Sequence, residues 1–103
     1  MQFAEDVSQT FLQHIGDSIK RKRKAKKMSL EKLGLEIGLT RMQVHRIEKG
    51  YNITILTLLK IAMALEIAPL ELLRTDFSYN KEDLELLVDN NKASKIKKGN
   101  KKQ

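Results

Sequence analysis

Between residues 41 and 49 the chain sets Arg41, Gln43, His45, Arg46 and Lys49 around Met42, with a single acidic residue, Glu48. Side chains of these types suit recognition better than bond-making. A guanidinium donates two parallel hydrogen bonds to a planar acceptor edge, a carboxamide donates and accepts, and an ammonium meets a phosphate as a point charge. Catalysis has little to draw on. The chain has no cysteine and only two histidines, His14 and His45, and it shows neither a phosphate-cradling glycine loop nor carboxylates paired in an evident cleft. A lone His14 with no second ligand at recognisable spacing makes no metal site, so no metal, cofactor or catalytic residue is expected.

Those donors need an element that presents them outward. Thr40 and Gln43 form the T-x-x-Q capping box of a helix start, and Leu39 with Val44 can close a hydrophobic staple across it. At about 100° per residue Val44 and Ile47 define the buried side, with Met42, Arg46 and Lys49 roughly opposite and His45 at their flank. Arg41 projects from the exposed N-terminal end, and Gly50 ends the helix. Glu48 falls near the edge of the buried face, so it needs a cationic partner. Upstream, Leu30, Leu33 and Ile37 recur at helical spacing behind Ser29, a candidate N-cap. Gly38 suits the left-handed turn that ends this helix. Gly34, inside it, costs about 1 kcal/mol relative to alanine, which a closely packed crossing helix would explain. Two short helices joined by a glycine turn, the second offering cations, have the layout of a helix-turn-helix, which places its second helix in the major groove of DNA.

From IGDSIKRKRKAKKMS through TRMQVHRIEKG to TLLKIAMALEIAPLELL, roughly residues 15–73, the chain resembles the phage-repressor and Cro-like regulators of the Xre family. Gly34, Gly38, Val44, Ile47 and the RIEKG ending fall in register together. The resemblance implies an all-α, lambda-repressor-like bundle of five helices, with Arg23 of the first helix paired to Glu48. It implies binding of double-stranded DNA by a transcriptional regulator, with Arg41, Met42, Gln43, His45 and Arg46 facing bases. Ser29, Lys49, Tyr51, Asn52 and Thr54 would face phosphates, the last four gathered at the start of helix four. Two positions depart from the family pattern. Leu30 stands where a glutamine usually binds a phosphate, and Glu66 replaces the glycine after the fourth helix.

Each assignment has a plainer competitor. Arg41 and Arg46 could be ordinary surface arginines, although arginine is the commonest specific reader of guanine. The capping box alone explains Gln43, and capping alone explains Thr54. Met42 suits a thymine methyl or plain solvent equally well, and His45 suits a phosphate neighbour or open surface.

Length and charge agree with this reading. A chain of 103 residues with 41% hydrophobic content, five aromatics and no tryptophan points to one aliphatic helical domain. Net charge is +7, concentrated in KRKRKAKK (20–27) and in the lysines between Lys92 and Lys102. Such blocks favour polyanions, against the alternative of a solvated face and a solubilising tail. The absence of cysteine suits a reducing cytoplasm, and nothing reads as a signal peptide or membrane span, so a cytoplasmic, nucleoid-associated protein is expected.

Four segments follow: a helical extension over 1–14, the DNA-binding domain over 15–73, a short helical segment over 74–90, and a basic disordered tail over 91–103. Apolar residues keep a helical period from Phe3 through Val7 and Phe11 to Ile19, with Gly16 a candidate interruption. Thr54 caps a fourth helix striped by Ile55, Leu58, Leu59, Ala62 and Leu65. Pro69 opens a fifth, and Asn80 caps a short sixth through Leu84, Leu87 and Val88. A homodimer on an inverted-repeat operator is expected, because one recognition helix reads too few base pairs to find a site. Its interface would use Ile67, Leu70, Leu73 and Phe77, joined by Leu84, Leu87 and Val88, or alternatively Phe3, Val7 and Phe11. The resemblance leaves two narrower roles open, an antitoxin with a toxin partner and a restriction-modification controller. A protein-binding helical adaptor is the reading from another class, distinguished by having no salt-sensitive affinity for duplex.

Overall fold

In the computed structural model, residues 7–74 and 76–88 are described. The named helices are α1 (Val7–Ala25), α2 (Leu30–Ile37), α3 (Arg41–Glu48), α4 (Ile55–Leu65) and α5 (Pro69–Leu73). A sixth, α6, covers residues 81–88. All described regular structure is helical.

At α2, α3, α4 and α6 the helix starts follow from side chains that satisfy unpaired N–H groups of the first turn. The Ser29 hydroxyl accepts from the Lys32 N–H at 3.0 Å, and the Thr54 hydroxyl accepts from the Thr57 N–H at 3.0 Å. At α3 both halves of the capping box form. Thr40 Oγ1 accepts from Gln43 N–H at 3.1 Å, and Gln43 Oε1 accepts from Thr40 N–H at 2.8 Å. A reciprocal pair of the same type joins Asn80 and Asp83 at 2.9 and 3.0 Å, starting α6 where Asn80 predicts it. Pro69 occupies the first turn of α5, where its missing N–H costs nothing.

Gly38 ends α2 with φ 79, as the sequence predicts. Glu66 ends α4 with φ 60, a left-handed conformation that non-glycine residues adopt at a cost of roughly 1–2 kcal/mol. Ile67 N–H then bonds back to the Ala62 carbonyl at 3.0 Å, so the turn expected of glycine forms with glutamate in its place. The Glu66 side chain meets Lys26 Nζ at 2.7 Å. That hydrogen bond, reinforced by the ammonium's charge, holds the Glu66 carboxyl below its ordinary range.

α1 runs unbroken through Gly16, so residues 7–14 continue the first helix. Gly16 is instead a crossing point. A Cβ there would lie 2.6 Å from the Glu48 carbonyl oxygen and 2.8 Å from that of Ile47, at the end of α3. Gly34 is close-packed for a different reason from the expected crossing helix: its Cβ would meet the Leu39 carbonyl oxygen at 2.5 Å, within the turn between α2 and α3. The turn folds back so tightly that only hydrogen fits.

The core is aliphatic. Ile19, Leu33, Val44, Ile61, Ala62 and Leu72 have no exposed surface, and Leu58 and Leu65 join them. The α4 stripe therefore differs from the expected one. Leu58, Ile61, Ala62 and Leu65 face inward, whereas Ile55 is 80% exposed and Leu59 40%. α4 reads ILTLLKIAMAL, apolar nearly all round, so its pattern does not single out the buried face.

Close packing at Gly34 and conformation at Gly38 should separate by mutation. Gly34→Ala is expected to destabilise by about 2–3 kcal/mol because the new Cβ overpacks backbone, against about 1 kcal/mol for Gly38→Ala, whose Cβ would meet nothing within 4 Å. Urea unfolding of both variants gives the order, and a larger loss at Gly38 would contradict the packing account.

Candidate functional site

α3 is short, and its buried side is only Val44, Ile47 and Glu48. Its other residues, Arg41, Met42, Gln43, His45 and Arg46, are all exposed, as is Lys49, which caps the helix. Among the described residues Arg41, Arg46 and Lys49 take part in no ion pair. Their charge faces solvent. Gln43 spends its oxygen on the Thr40 cap, so that its amide N–H groups are the part of the carboxamide the cap does not use.

The end of α3 is held by α1. Arg23 and Glu48 are both buried and bonded through two contacts, Nε to Oε2 at 2.7 Å and Nη2 to Oε1 at 3.0 Å. The remaining guanidinium nitrogen, Nη1, donates to the Met28 carbonyl at 2.7 Å. One side chain therefore ties together α1, the turn before α2, and the last residue of α3. Gln13 adds a fourth tie, donating from Nε2 to the Glu48 carbonyl at 3.2 Å. Neither Gln13 nor the Met28 carbonyl is evident as a site element in the sequence. The face of Gly16, Ile19 and Arg23, at i, i+3 and i+7, is the signal that could have located the crossing.

Past α3 the chain turns at Gly50, φ 98, and the Tyr51 N–H donates to the Arg46 carbonyl at 3.1 Å. This folds the start of α4 against α3. A cleft of about 440 Å³ results, lined in part by Gln43 and Arg46 from one side and Tyr51, Asn52 and Thr54 from the other. The structure thus brings together part of the set expected to face bases and part of the set expected to face phosphates. Asn52 Oδ1 accepts from the Ile53 N–H at 2.9 Å, fixing its side chain locally. Ser29 stands apart from this cleft, and its hydroxyl oxygen already serves as the α2 cap. Leu30 is half-buried and packs on the core.

Phe77, Leu84 and Leu87 of one expected apolar patch join Val7 and Phe11 of the other, while Ile67, Leu70 and Leu73 lie outside that surface. Phe77 packs against Phe11 at 5.7 Å between ring centroids, against His14 at 5.8 Å and against Tyr79 at 5.9 Å. Val7, Phe11, Phe77, Leu84 and Leu87 share one cavity of about 520 Å³. Phe3 lies outside the described residues. Ile67 is half-buried against the core, while Leu70 and Leu73 are exposed. Among the described residues no three His, Cys, Asp or Glu side chains gather as a metal site, and no helix is long and apolar enough to cross a membrane.

The sequence model of the helix-turn-helix family matches residues 19–72. The crystal structure of the restriction-modification controller protein C.AhdI from Aeromonas hydrophila is similar, with 39% identity over 59% of this chain and 94% of that one, at a TM-score of 0.58. A hypothetical transcription factor from Neisseria, NHTF, is similar over 84% of this chain and 96% of its own, at 29% identity and a TM-score of 0.60. Among curated protein sequences none matches.

The buried pair is testable by a double-mutant cycle. Arg23→Ala should cost about 3–5 kcal/mol because it strands a buried carboxylate, and the loss should shrink by at least 1 kcal/mol in a Glu48→Gln background. Additive losses in chemical denaturation would show that the two side chains do not stabilise each other.

Proposed function

The chain belongs to the helix-turn-helix family of DNA-binding regulators, and from that premise we infer that it recognises a specific operator by laying α3 in the major groove. The observation that carries this reading is the exposed face of α3, where Arg41, Arg46 and Lys49 stand unpaired on a helix held at both ends by caps and by the Arg23–Glu48 pair. Rigid placement matters because base discrimination depends on bidentate geometry. Arg46, lining the cleft, is the first candidate reader of guanine. Arg41, Met42, Gln43 and His45 complete the base-facing set. Lys49, Tyr51, Asn52 and Thr54 hold the backbone beside it, and Ser29 does so at the α2 end.

We further propose a two-fold homodimer built on the α4–α5 face. α4 leaves Ile55, Leu56, Leu59 and Met63 exposed, and α5 adds Leu70 at 62%. That is more apolar surface than scattered exposure explains. Phe77, by contrast, is already engaged with Phe11, His14 and Tyr79. The operator would then be an inverted repeat with half-site centres about 10 base pairs apart. The 39% identity to a restriction-modification controller favours a narrower second reading, control of such an operon. It is tested by whether the selected operator lies upstream of linked methyltransferase and endonuclease genes.

Selection from a random duplex library should yield one two-fold-symmetric motif, and affinity for it should fall with salt at a log–log slope on the order of 4 per protomer. A flat salt response would reject DNA as the partner. Arg46→Ala should cost about 1–3 kcal/mol and relax one base position, while Lys49→Ala weakens every sequence alike. Equal, sequence-independent losses from both would make Arg46 a backbone contact. For the dimer, Leu70→Glu should give a monomer by sedimentation with at least a tenfold loss on the operator, and Leu84→Glu should leave the dimer intact. The opposite pattern would move the interface to the Phe11–Phe77 surface.

A further inference from the structure

We propose that Lys20, Lys24 and Lys27 form a second phosphate-binding track beside α3, engaging the backbone of the bound duplex in addition to the contacts made around the start of α4. The proposal rests on the DNA-binding reading above and assigns a role to one flank of α1. Residues 20–27 carry seven cations, and the structure sorts them. Lys22 Nζ lies 3.1 Å from Glu71, Lys26 Nζ lies 2.7 Å from Glu66, and Arg23 is buried on Glu48. Those three are neutralised within the chain. Arg21 donates to the Ser18 hydroxyl at 3.2 Å. Lys20, Lys24 and Lys27 are exposed and have no carboxylate within ion-pair distance among the described residues.

The sorting follows the geometry of the helix, because residues four apart share a face. Ser18, Lys22 and Lys26 step along the side that meets Glu71 of α5 and Glu66 of the turn before it. Gly16, Lys20 and Lys24 step along another side, and Gly16 is where α1 touches the end of α3. Lys27 continues beyond the helix next to Met28, whose carbonyl accepts from the same Arg23 guanidinium that grips Glu48. Lys20 and Lys24 therefore lie on the α3 side of α1, and Lys22 and Lys26 on the α4–α5 side.

The spacing suits a nucleic-acid backbone. From Lys20 to Lys24 the row climbs about 6 Å at 1.5 Å per residue, and Lys27 follows just past the helix end. One strand of a duplex carries about two charges over that helical stretch, at one per 3.4 Å of axis. Lysine suits such contacts because an ammonium on a flexible stem meets phosphate without demanding a planar partner. A row of this kind adds affinity without reading sequence.

The test compares two triple variants with the same loss of charge: Lys20→Gln/Lys24→Gln/Lys27→Gln on the row, and Lys22→Gln/Lys26→Gln/Lys81→Gln elsewhere. Each is titrated with the selected operator and with a scrambled duplex between roughly 50 and 200 mM salt, the range in which counterion release is read. The row variant is expected to lose about 2–3 from the log–log salt slope at roughly 0.9 per phosphate, with the preference for operator over scrambled duplex unchanged. The second variant is expected to keep the wild-type slope. Single Lys20→Gln and Lys24→Gln variants, each losing roughly 0.9, replace the triple if its thermal unfolding departs from wild type. An unchanged slope in the row variant beside a steep wild-type slope overturns the track and leaves DNA binding intact. Equal slope losses in both variants also overturn it, since net charge alone would then be acting. A flat wild-type slope removes the DNA-binding reading itself.

Discussion

The contact on which the rest of the structure depends is the buried Arg23–Glu48 pair. Removing two charges from water is costly, and the attraction between them repays that only with good geometry and full hydrogen bonding. Here both carboxylate oxygens are bonded and the guanidinium has a further acceptor in the Met28 carbonyl, so Nε, Nη1 and Nη2 are all engaged. What the pair determines is relative position. α3 is eight residues long, too short to be a stable helix alone, and it buries few side chains. Its orientation is set by its capped start and by an end that α1 grips through Arg23, Gln13 and the glycine contact at Gly16. In the operator-reading role proposed for it, a helix that presents arginines to fixed acceptors needs that rigidity more than it needs stability of its own.

This dependence explains which features were legible in the sequence. Local signals translated directly, because a cap acts within three or four residues of itself. Ser29, the Thr40–Gln43 box, Thr54 and Asn80 all sit at the helix starts they indicate, and Gly38 takes the left-handed turn. The Arg23–Glu48 pairing, 25 residues apart, came from the family resemblance and not from periodicity. Signals about which face turns inward failed where a helix is apolar on all sides: on α4 the pattern counted Ile55 and Leu59 as core and omitted Ile61, which is fully buried. Gly34 carried a correct message of close approach with its partner misread, whereas Gly16, read as a possible break in the first helix, proved to be a crossing point inside it. A missing Cβ does not say from which direction the neighbour comes. The joining of Phe11 to Phe77 was also beyond reach, since it depends on how the chain after α5 doubles back along α1.

The same helix that organises the core also distributes the protein's charge. Pairing of Lys22 and Lys26 neutralises cations on the α4–α5 side, where an apolar face is exposed, while Lys20 and Lys24 stay unpaired on the side of α3. An even distribution of the same net charge would have placed repulsion across the surface proposed for a second copy. It would also have diluted the field beside the recognition helix, where proximity to phosphate sets the strength of attraction within a Debye length of about 8–10 Å.

Two helix ends show that charge placement has been kept at some cost in backbone strain. Lys27 and Glu66 both hold positive φ, 57 and 60, where glycine would relieve the steric penalty. At Glu66 the strain is partly offset by the bond to Lys26, which links the end of α1 to the turn between α4 and α5. The link has a defined pH response. Lys26 holds the Glu66 carboxyl below its unfolded range, first through the hydrogen bond and then through its charge, so the carboxylate form is favoured by folding. The stabilisation is complete above the unfolded value and is lost as pH falls through the lower folded one. Near neutrality it is constant, and because the pair is exposed, salt weakens it. The tie between α1 and the turn after α4 is thus weakened by added salt, whereas the buried Arg23–Glu48 pair, shielded from solvent, holds α3 in place throughout.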